Sequence, residues 1–366
     1  LTNNRLSHSA ISRYQICPRS YKYWYIDKIK PRYQSAALSF GSALDNAINT
    51  LLSKDSDKTP EQVFEYHWSF QKVANKEQYL PECLDIVYSY NDYDDELLSA
   101  EDFIKLDEKK NELKLGKETT QVVFEKITAR KKDKGFDNLS FEEKSFFNLV
   151  NWFCLKRKGL LMIESYREKV LPDIQEVIFV QRHIKVINND GDSIIGVIDL
   201  CVKWKDGRTV IFDNKTSSIE YEKDCVLTSP QLALYVYAVE NEVKSRTAGY
   251  IVLSKRLNKK RIKICSVCKY NGTGTKFKTC NNEIDGKRCN ATWNEKLKIS
   301  ININVFIDEI PEKTEKLVME NYNIINNVIK RDTEFSHNFN NCDNVYGAPC
   351  PYKKYCWKGD KSDLNS

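Results

Sequence analysis

Gly196-Val197-Ile198-Asp199-Leu200, followed by Thr209-Val210-Ile211-Phe212-Asp213-Asn214-Lys215-Thr216, reads as two apolar strands that each deliver a carboxylate. Ile194, Val197 and Leu200 on the first and Val210 and Phe212 on the second suit adjacent strands, and Lys205-Asp206-Gly207-Arg208 between them has hairpin-turn chemistry. Such a hairpin sets Asp199 beside Asp213. Two neighbouring carboxylates repel unless a cation sits between them, and hard oxygen ligands suit Mg²⁺ or Mn²⁺. Lys215 shares a face with Asp213 because side chains alternate along a strand. An arbitrary pair of aspartates is more often two solvated strand ends. Here the apolar flanks place the acids at the lip of a core, and D-x-K adds an ammonium able to stabilise charge on a phosphate.

Sixteen residues after Lys215, Gln231-Leu232-Ala233-Leu234-Tyr235 lies in a helical stretch opened by Ser229-Pro230. Gln231 and Tyr235, at i and i+4, fall on one helix face. In this order and spacing, G-[VI]-I-D, D-x-K and Q-x-x-x-Y resemble the RecB-type branch of the PD-(D/E)XK nucleases. That branch includes helicase-linked recombination nucleases and the iron–sulfur exonucleases of CRISPR adaptation. The resemblance implies an α/β, restriction-endonuclease-like core, a central mixed sheet flanked by helices. It implies that Asp199 and Asp213 bind the metal, that Lys215 aids the attacking water, and that Gln231 and Tyr235 contact DNA or orient Lys215. The backbone carbonyl of Asn214 is implied as a further metal ligand.

The chain of 366 residues is long enough for one large or two ordinary domains, and its composition, 41% hydrophobic and 30% charged, is that of a soluble protein. No apolar run is long enough to span a membrane and no signal-peptide core opens the chain, so the expected location is cytoplasmic or nucleoid-associated, not secreted. A net charge of +6 is compatible with an anionic partner such as nucleic acid. Twelve cysteines without a secretory signal point to metal sites. Eight fall into two groups of four; Cys83, Cys154, Cys201 and Cys225 read as small buried apolar residues.

Residues 1–52 are expected to form N-terminal helices, beginning at the capping Ser7 and broken at Cys17-Pro18. Serine, helix, then Cys-Pro before an aromatic-basic helix also resembles the start of the iron–sulfur nucleases, whose first cluster ligand is this cysteine. In Phe40-Gly41-Ser42-Ala43-Leu44-Asp45 the family pattern G-x-x-x-H carries Asp45 where the family has its metal-binding histidine. A carboxylate still suits Mg²⁺ and gives a three-acid site. Residues 53–170 read as a helical insertion and 171–264 as the nuclease core, whose strand at 247–255 is followed by a basic run expected on a loop or edge strand.

Cys265-Ser266-Val267-Cys268, Cys280 and Cys289 have the form of a zinc ribbon inserted at 265–292, with Asn271–Thr275 as a turn. A polar insert of that size needs a metal staple to fold. Residues 293–335 complete the core with a strand and a helix at 312–331 whose Leu317, Val318, Tyr322, Ile324, Ile325 and Val328 are expected to face inward. In the tail, 336–366, Cys350-x5-Cys356 matches the family's closing cluster segment, although seven residues separate Cys342 from Cys350. The resemblance implies a [4Fe–4S] cluster held by Cys17, Cys342, Cys350 and Cys356, with zinc as the rival occupant of a Cys₄ cage.

The expected activity is that of a Mg²⁺- or Mn²⁺-dependent deoxyribonuclease, an exonuclease on single-stranded or frayed DNA ends, in recombination, repair or phage- and CRISPR-type processing. Its expected partners are DNA and a helicase or recombination protein, with no membrane. The alternative is a catalytically weak or inactive DNA-binding or adaptor protein on the same fold, acting through its zinc ribbon; Asp45 in place of histidine favours it.

Overall fold

The computed structural model describes residues 5–31, 36–53, 56–73, 76–79, 95–135, 138–188, 190–272, 276–343, 350–362 and 364–365. The chain opens with β1 (Arg5–Ser7), α1 (His8–Ile16), α2 (Pro18–Tyr21) and β2 (Lys30–Pro31), then α3 (Ala36–Leu52), α4 (Pro60–Ser69), β3 (Phe70–Val73) and β4 (Lys76–Tyr79). Three helices follow: α5 (Ala100–Glu112), α6 (Thr120–Lys134) and α7 (Phe141–Lys169). The sheet segment comprises β5 (Ile174–Ile187), β6 (Ser193–Trp204), β7 (Thr209–Ser217), α8 (Pro230–Val243) and β8 (Thr247–Cys265). Then come β9 (Glu283–Ile284), β10 (Lys287–Arg288), β11 (Trp293–Glu309), α9 (Glu312–Arg331), α10 (Lys353–Lys358) and β12 (Leu364–Asn365).

A six-stranded mixed sheet forms the centre, ordered β1-β6-β7-β8-β11 with β5 also on β6. The β6–β7 and β8–β11 pairs are antiparallel, while β7–β8 and β1–β6 are parallel. Because β5 runs along one whole edge of β6, β1 and β7 must share the other. β1 takes Ser193–Ile195 and β7 takes Leu200–Lys203, which leaves Gly196–Asp199 between them.

Helices cover both faces. On one, Leu200, Val202, Val210, Phe212, Ile251 and Leu253 pack with α3, α4 and α7. On the other, Ile194, Ile198, Ile211, Tyr250 and Val252 pack with α1, α8 and α9. The helix α3 earns its place through small and apolar residues at helical spacing: Ala36, Phe40, Ala43, Leu44, Ala47 and Ile48 are all buried. Ser140 starts α7 with a reciprocal capping box to Glu143.

The structure differs from expectation in several places, first in β1, a strand of the central sheet within the stretch expected to be helical. Within the helical insertion, β3 and β4 form an antiparallel hairpin. The strand expected to stop near residue 255 runs on to Cys265; past Ser254 it pairs, among the described strands, with β11 alone, so the basic run does lie on an edge strand. On α9, Leu317, Ile324 and Val328 are exposed; the buried stripe is Glu315, Met319, Tyr322, Ile325, Asn326 and Ile329. Glu315 reaches inward to Arg246 at 2.8 Å, while Met319, Tyr322, Ile325 and Ile329 pack into the core. Of the isolated cysteines, Cys154 and Cys201 are buried but Cys225 is only half-buried, and Cys83 lies outside the described residues, as do Thr273–Thr275 of the expected turn.

Candidate active site

The site grows from the divided edge of β6. Past the Leu200–Phe212 pair, the strands carry Asp199 and Asp213, and the backbone N–H of Asn214 donates to Asp199 Oδ2 at 2.9 Å. Regular alternation would put Ile198 and Leu200 on the same face, yet they pack on opposite faces. The turnover falls at Asp199. Opposite it, between the Val180–Leu200 and Arg182–Ile198 pairs, Gln181 adopts a left-handed backbone (φ 49°) and donates to Asp199 Oδ1 at 3.3 Å. Such a conformation in a non-glycine residue is strained and concentrates at functional sites. Gly196 explains the glycine of the G-[VI]-I-D run: a Cβ there would stand 3.3 Å from the Tyr235 ring and from Ile184.

Lys215 Nζ lies 2.6 Å from Asp213 Oδ2 and donates to Gln231 Oε1 at 3.1 Å. Gln231 in turn donates through Nε2 to the Tyr235 hydroxyl at 2.8 Å. The four side chains therefore form one chain from β7 to α8. Ser229 caps α8 by accepting from the Leu232 N–H, and its hydroxyl is also 2.6 Å from the Tyr250 hydroxyl on β8.

Charge is unbalanced here. Burial, then the carboxylates of Asp213 and Asp45, push Asp199 up to about 8. Burial, then Asp213, raise Asp45 on α3 to about 6. Asp213 is only 2% exposed; burial raises its pKa against the pull of Lys215. Despite the cost of burial, Asp213 and Asp199 hold Lys215 firmly protonated. One ammonium thus faces three carboxylates. The side-chain amide of Asn214 and the hydroxyl of Tyr166 are buried without a hydrogen-bond partner among the described residues. That donor set fits a hard divalent cation.

Asp45, Asp199, Asp213, Lys215, Gln231 and Tyr235 are thus drawn into one electrostatic neighbourhood, with the acids further apart than four converging thiols elsewhere. The sulfurs of Cys265, Cys268, Cys280 and Cys289 lie within 4.8 Å of one another, the one such group of three or more candidate ligands among the described residues. Two pairs, Cys265–Cys289 and Cys268–Cys280, are 3.6 Å apart. A tetrahedral Zn²⁺ with bonds of ~2.3 Å has edges of ~3.8 Å. Against the cost of burial, backbone N–H groups at Cys268 and Val267 lower the Cys265 pKa, whereas burial raises that of Cys280, so the four thiols carry charge unequally.

Cys17, Cys342, Cys350 and Cys356 are also neighbours. Burial, then the other three thiols, push Cys350 up to about 11. The Cys350 N–H donates to the Cys342 carbonyl, and Asn338 and Asn341 both donate to the Ile16 carbonyl, binding tail to N-terminal helix.

Sequence reasoning missed Gln181, Tyr166, Tyr250 and the pair of His8 and Tyr322, whose ring nitrogen and hydroxyl meet at 2.5 Å. Burial and then Lys215 lower the His8 pKa, so it belongs to the same neighbourhood. Tyr250 had a faint signal, a phenol in an otherwise apolar strand; the others depend on long-range packing.

The mixed sheet, the divided strand and the D…DxK…QxxxY cluster thus meet at one edge of the fold. A family model for the PD-(D/E)XK nuclease superfamily matches residues 5–357, and the chain belongs to that superfamily. No curated protein matches it. No helix among the described residues is long and apolar enough to cross a membrane.

Proposed function

We propose that the chain is a metal-dependent deoxyribonuclease that hydrolyses phosphodiester bonds at single-stranded or frayed DNA ends. The observation that carries this is the single Lys215 ammonium among the buried carboxylate of Asp213 and the half-buried ones of Asp199 and Asp45. Asp45, Asp199, Asp213 and the carbonyl of Asn214 would hold Mg²⁺ or Mn²⁺, which supplies Lewis acidity toward the phosphate and a more acidic water. Lys215 orients the attacking water and offsets charge building on the phosphate. The water oxygen bonds to phosphorus, the bond to the leaving sugar oxygen breaks, and a proton released by the water ends on that oxygen. Gln231 holds Lys215 in position by accepting its hydrogen bond, and Tyr235 holds Gln231.

Two cysteine sites support the fold around this centre. The tight thiol tetrahedron at Cys265, Cys268, Cys280 and Cys289 suits structural zinc. The looser set of Cys17, Cys342, Cys350 and Cys356 suits a [4Fe–4S] cluster, which spreads its thiolates wider than a single ion does. A helicase or recombination partner follows from the iron–sulfur branch alone.

Labelled single- and double-stranded DNA incubated with Mn²⁺ and wild-type or Lys215→Ala protein tests the activity. Metal-dependent cleavage lost in the variant supports the reading. Clean wild-type protein that binds DNA and leaves it intact returns the adaptor reading, which the aspartate at position 45 favours.

A further inference from the structure

The positive charge of this protein is concentrated in one arm. Residues 255–298 hold thirteen Lys or Arg against three Asp or Glu, a surplus larger than the +6 of the whole chain, so the remainder is net acidic. The arm is the outer half of the β8–β11 hairpin, closed at its tip by the four thiols.

Its two faces differ. The register from Trp293–Cys265 to Ile301–Leu257 is unbroken, so cross-strand partners share a face. One face carries Lys259, Arg261 and Lys263. Lys259 is ion-paired with Glu96 at 2.5 Å, and Lys263 stands across from Glu295. On the other face Lys260 stands directly opposite Lys298, with Lys296 two residues along. All three are exposed, and no ion pair is formed by them among the described residues. The remaining residues of that face, Asn258, Ile262, Ile264, Asn294 and Ser300, include no acid. Like charges placed directly opposite on a sheet are destabilising. An arm that keeps them has an anion to meet.

The basic face is on the catalytic side. A bulge interrupts the register between Ile301 and Ile303, but Leu253 and Ile301 are both buried in the α3–α7 core, with Leu257 and Ile303 packed against it. The bulge therefore does not exchange the faces. Lys260, Lys296 and Lys298 continue the opposite face, that of Tyr250 and Val252, the register partners of Asp213 and Lys215. At ~3.3 Å per residue, Lys260 lies roughly 30 Å along β8 from Tyr250. That is about nine phosphate steps of duplex at ~3.4 Å each.

We infer that Lys260, Lys296 and Lys298 form a phosphate-binding rail that holds the flank of a DNA substrate extending from the active site. The inference rests on the nuclease reading for its substrate, but its test does not require cleavage. Full-length, metal-replete protein is titrated with fluorescein-labelled duplexes of ~6 and ~24 base pairs, the shorter spanning only roughly 20 Å, in Ca²⁺ buffer over a range of salt. Combined Lys260→Ala, Lys296→Ala and Lys298→Ala is expected to weaken the long duplex and leave the short one unchanged. The salt slope on the long duplex should fall by about 2–3, one unit per lost phosphate contact.

A second variant guards against misfolding. Lys298→Glu faces Lys260 with an opposite charge, so its melting temperature should hold or rise while binding to the long duplex weakens. Unchanged affinity and salt slope for the long duplex in a folded variant overturns the rail; so does an equal loss on both lengths. If the length-dependent loss appears but neither wild type nor variant cleaves in Mn²⁺, the rail stands and the nuclease reading fails.

Discussion

The ammonium of Lys215 lies 2.6 Å from Oδ2 of Asp213, on the same strand and two residues away. This contact opposes the burial that raises the pKa of Asp213. Lys215→Ala removes both the ion pair and the hydrogen bond to Gln231. The expected loss in kcat is on the order of 10²–10³-fold, as for removal of one preorganised charge-stabilising group. Binding of DNA in Ca²⁺, measured by anisotropy, should change little.

Asp45→Asn removes one of three mutually repelling acids. Without divalent ions the variant should melt higher than wild type, because burial and Asp213 already disfavour the charged form of Asp45. In cleavage assays it should need more Mn²⁺ to reach half-maximal rate. A variant that melts lower in EDTA and needs no extra metal would contradict the placement of Asp45 beside the other acids.

The same groups set a pH dependence. Asp199 and Asp45 have folded values of about 8 and about 6, above the ordinary carboxylate range. The folded protein therefore holds protons that the unfolded chain has released, and stability must fall as pH rises. In EDTA, the melting temperature contribution from this site should be full below about pH 4 and decline through pH 6 to 8. The proposed Mg²⁺ or Mn²⁺ would bind the deprotonated acids, so its stabilisation should be largest at the alkaline end. Thermal melts at pH 5 and pH 8, with and without metal, measure both signs.

Removal of metal from the thiol tetrahedron should act locally. Cys268→Ser, or a chelator, is expected to release one zinc per chain by elemental analysis. It should also open residues 266–291 to protease while the α3–α7 core keeps its melting transition.

Gly249 on β8 is a packing requirement. A Cβ there would stand 2.4 Å from the Phe306 carbonyl oxygen and 2.6 Å from the Phe212 ring, and a backbone carbonyl cannot rotate away. Gly249→Ala should destabilise by about 1–3 kcal/mol, seen as a lower denaturation midpoint.

The catalytic strands were legible in the sequence because their apolar alternation, the Asp206-Gly207 turn and the D-x-K spacing are all local, and β6 and β7 pair as that turn dictates. Ser229-Pro230 likewise marked the start of α8. What local pattern could not yield is the reversal of faces at Asp199, which needs Gln181 on a strand paired from 18 residues away. Nor could it yield the burial of Tyr166 beside Asp199 and Asp45, which depends on how α7 crosses the sheet. On α9 the apolar residues alone misplaced the buried stripe, because it also holds Glu315 and Asn326, which meet Arg246 and Asp192.

The shared edge of β6 has a consequence for synthesis. Arg5–Ser7 emerges well before Ser193–Ile195 and cannot dock until that segment exists, and the His8–Tyr322 and Ile16–Asn341 contacts wait longer still. On a ribosome the catalytic strands can pair while the element that flanks Asp199 is still waiting for its anchors. The flank of Asp199 is therefore completed only after residues as far along as Asn341 have left the ribosome.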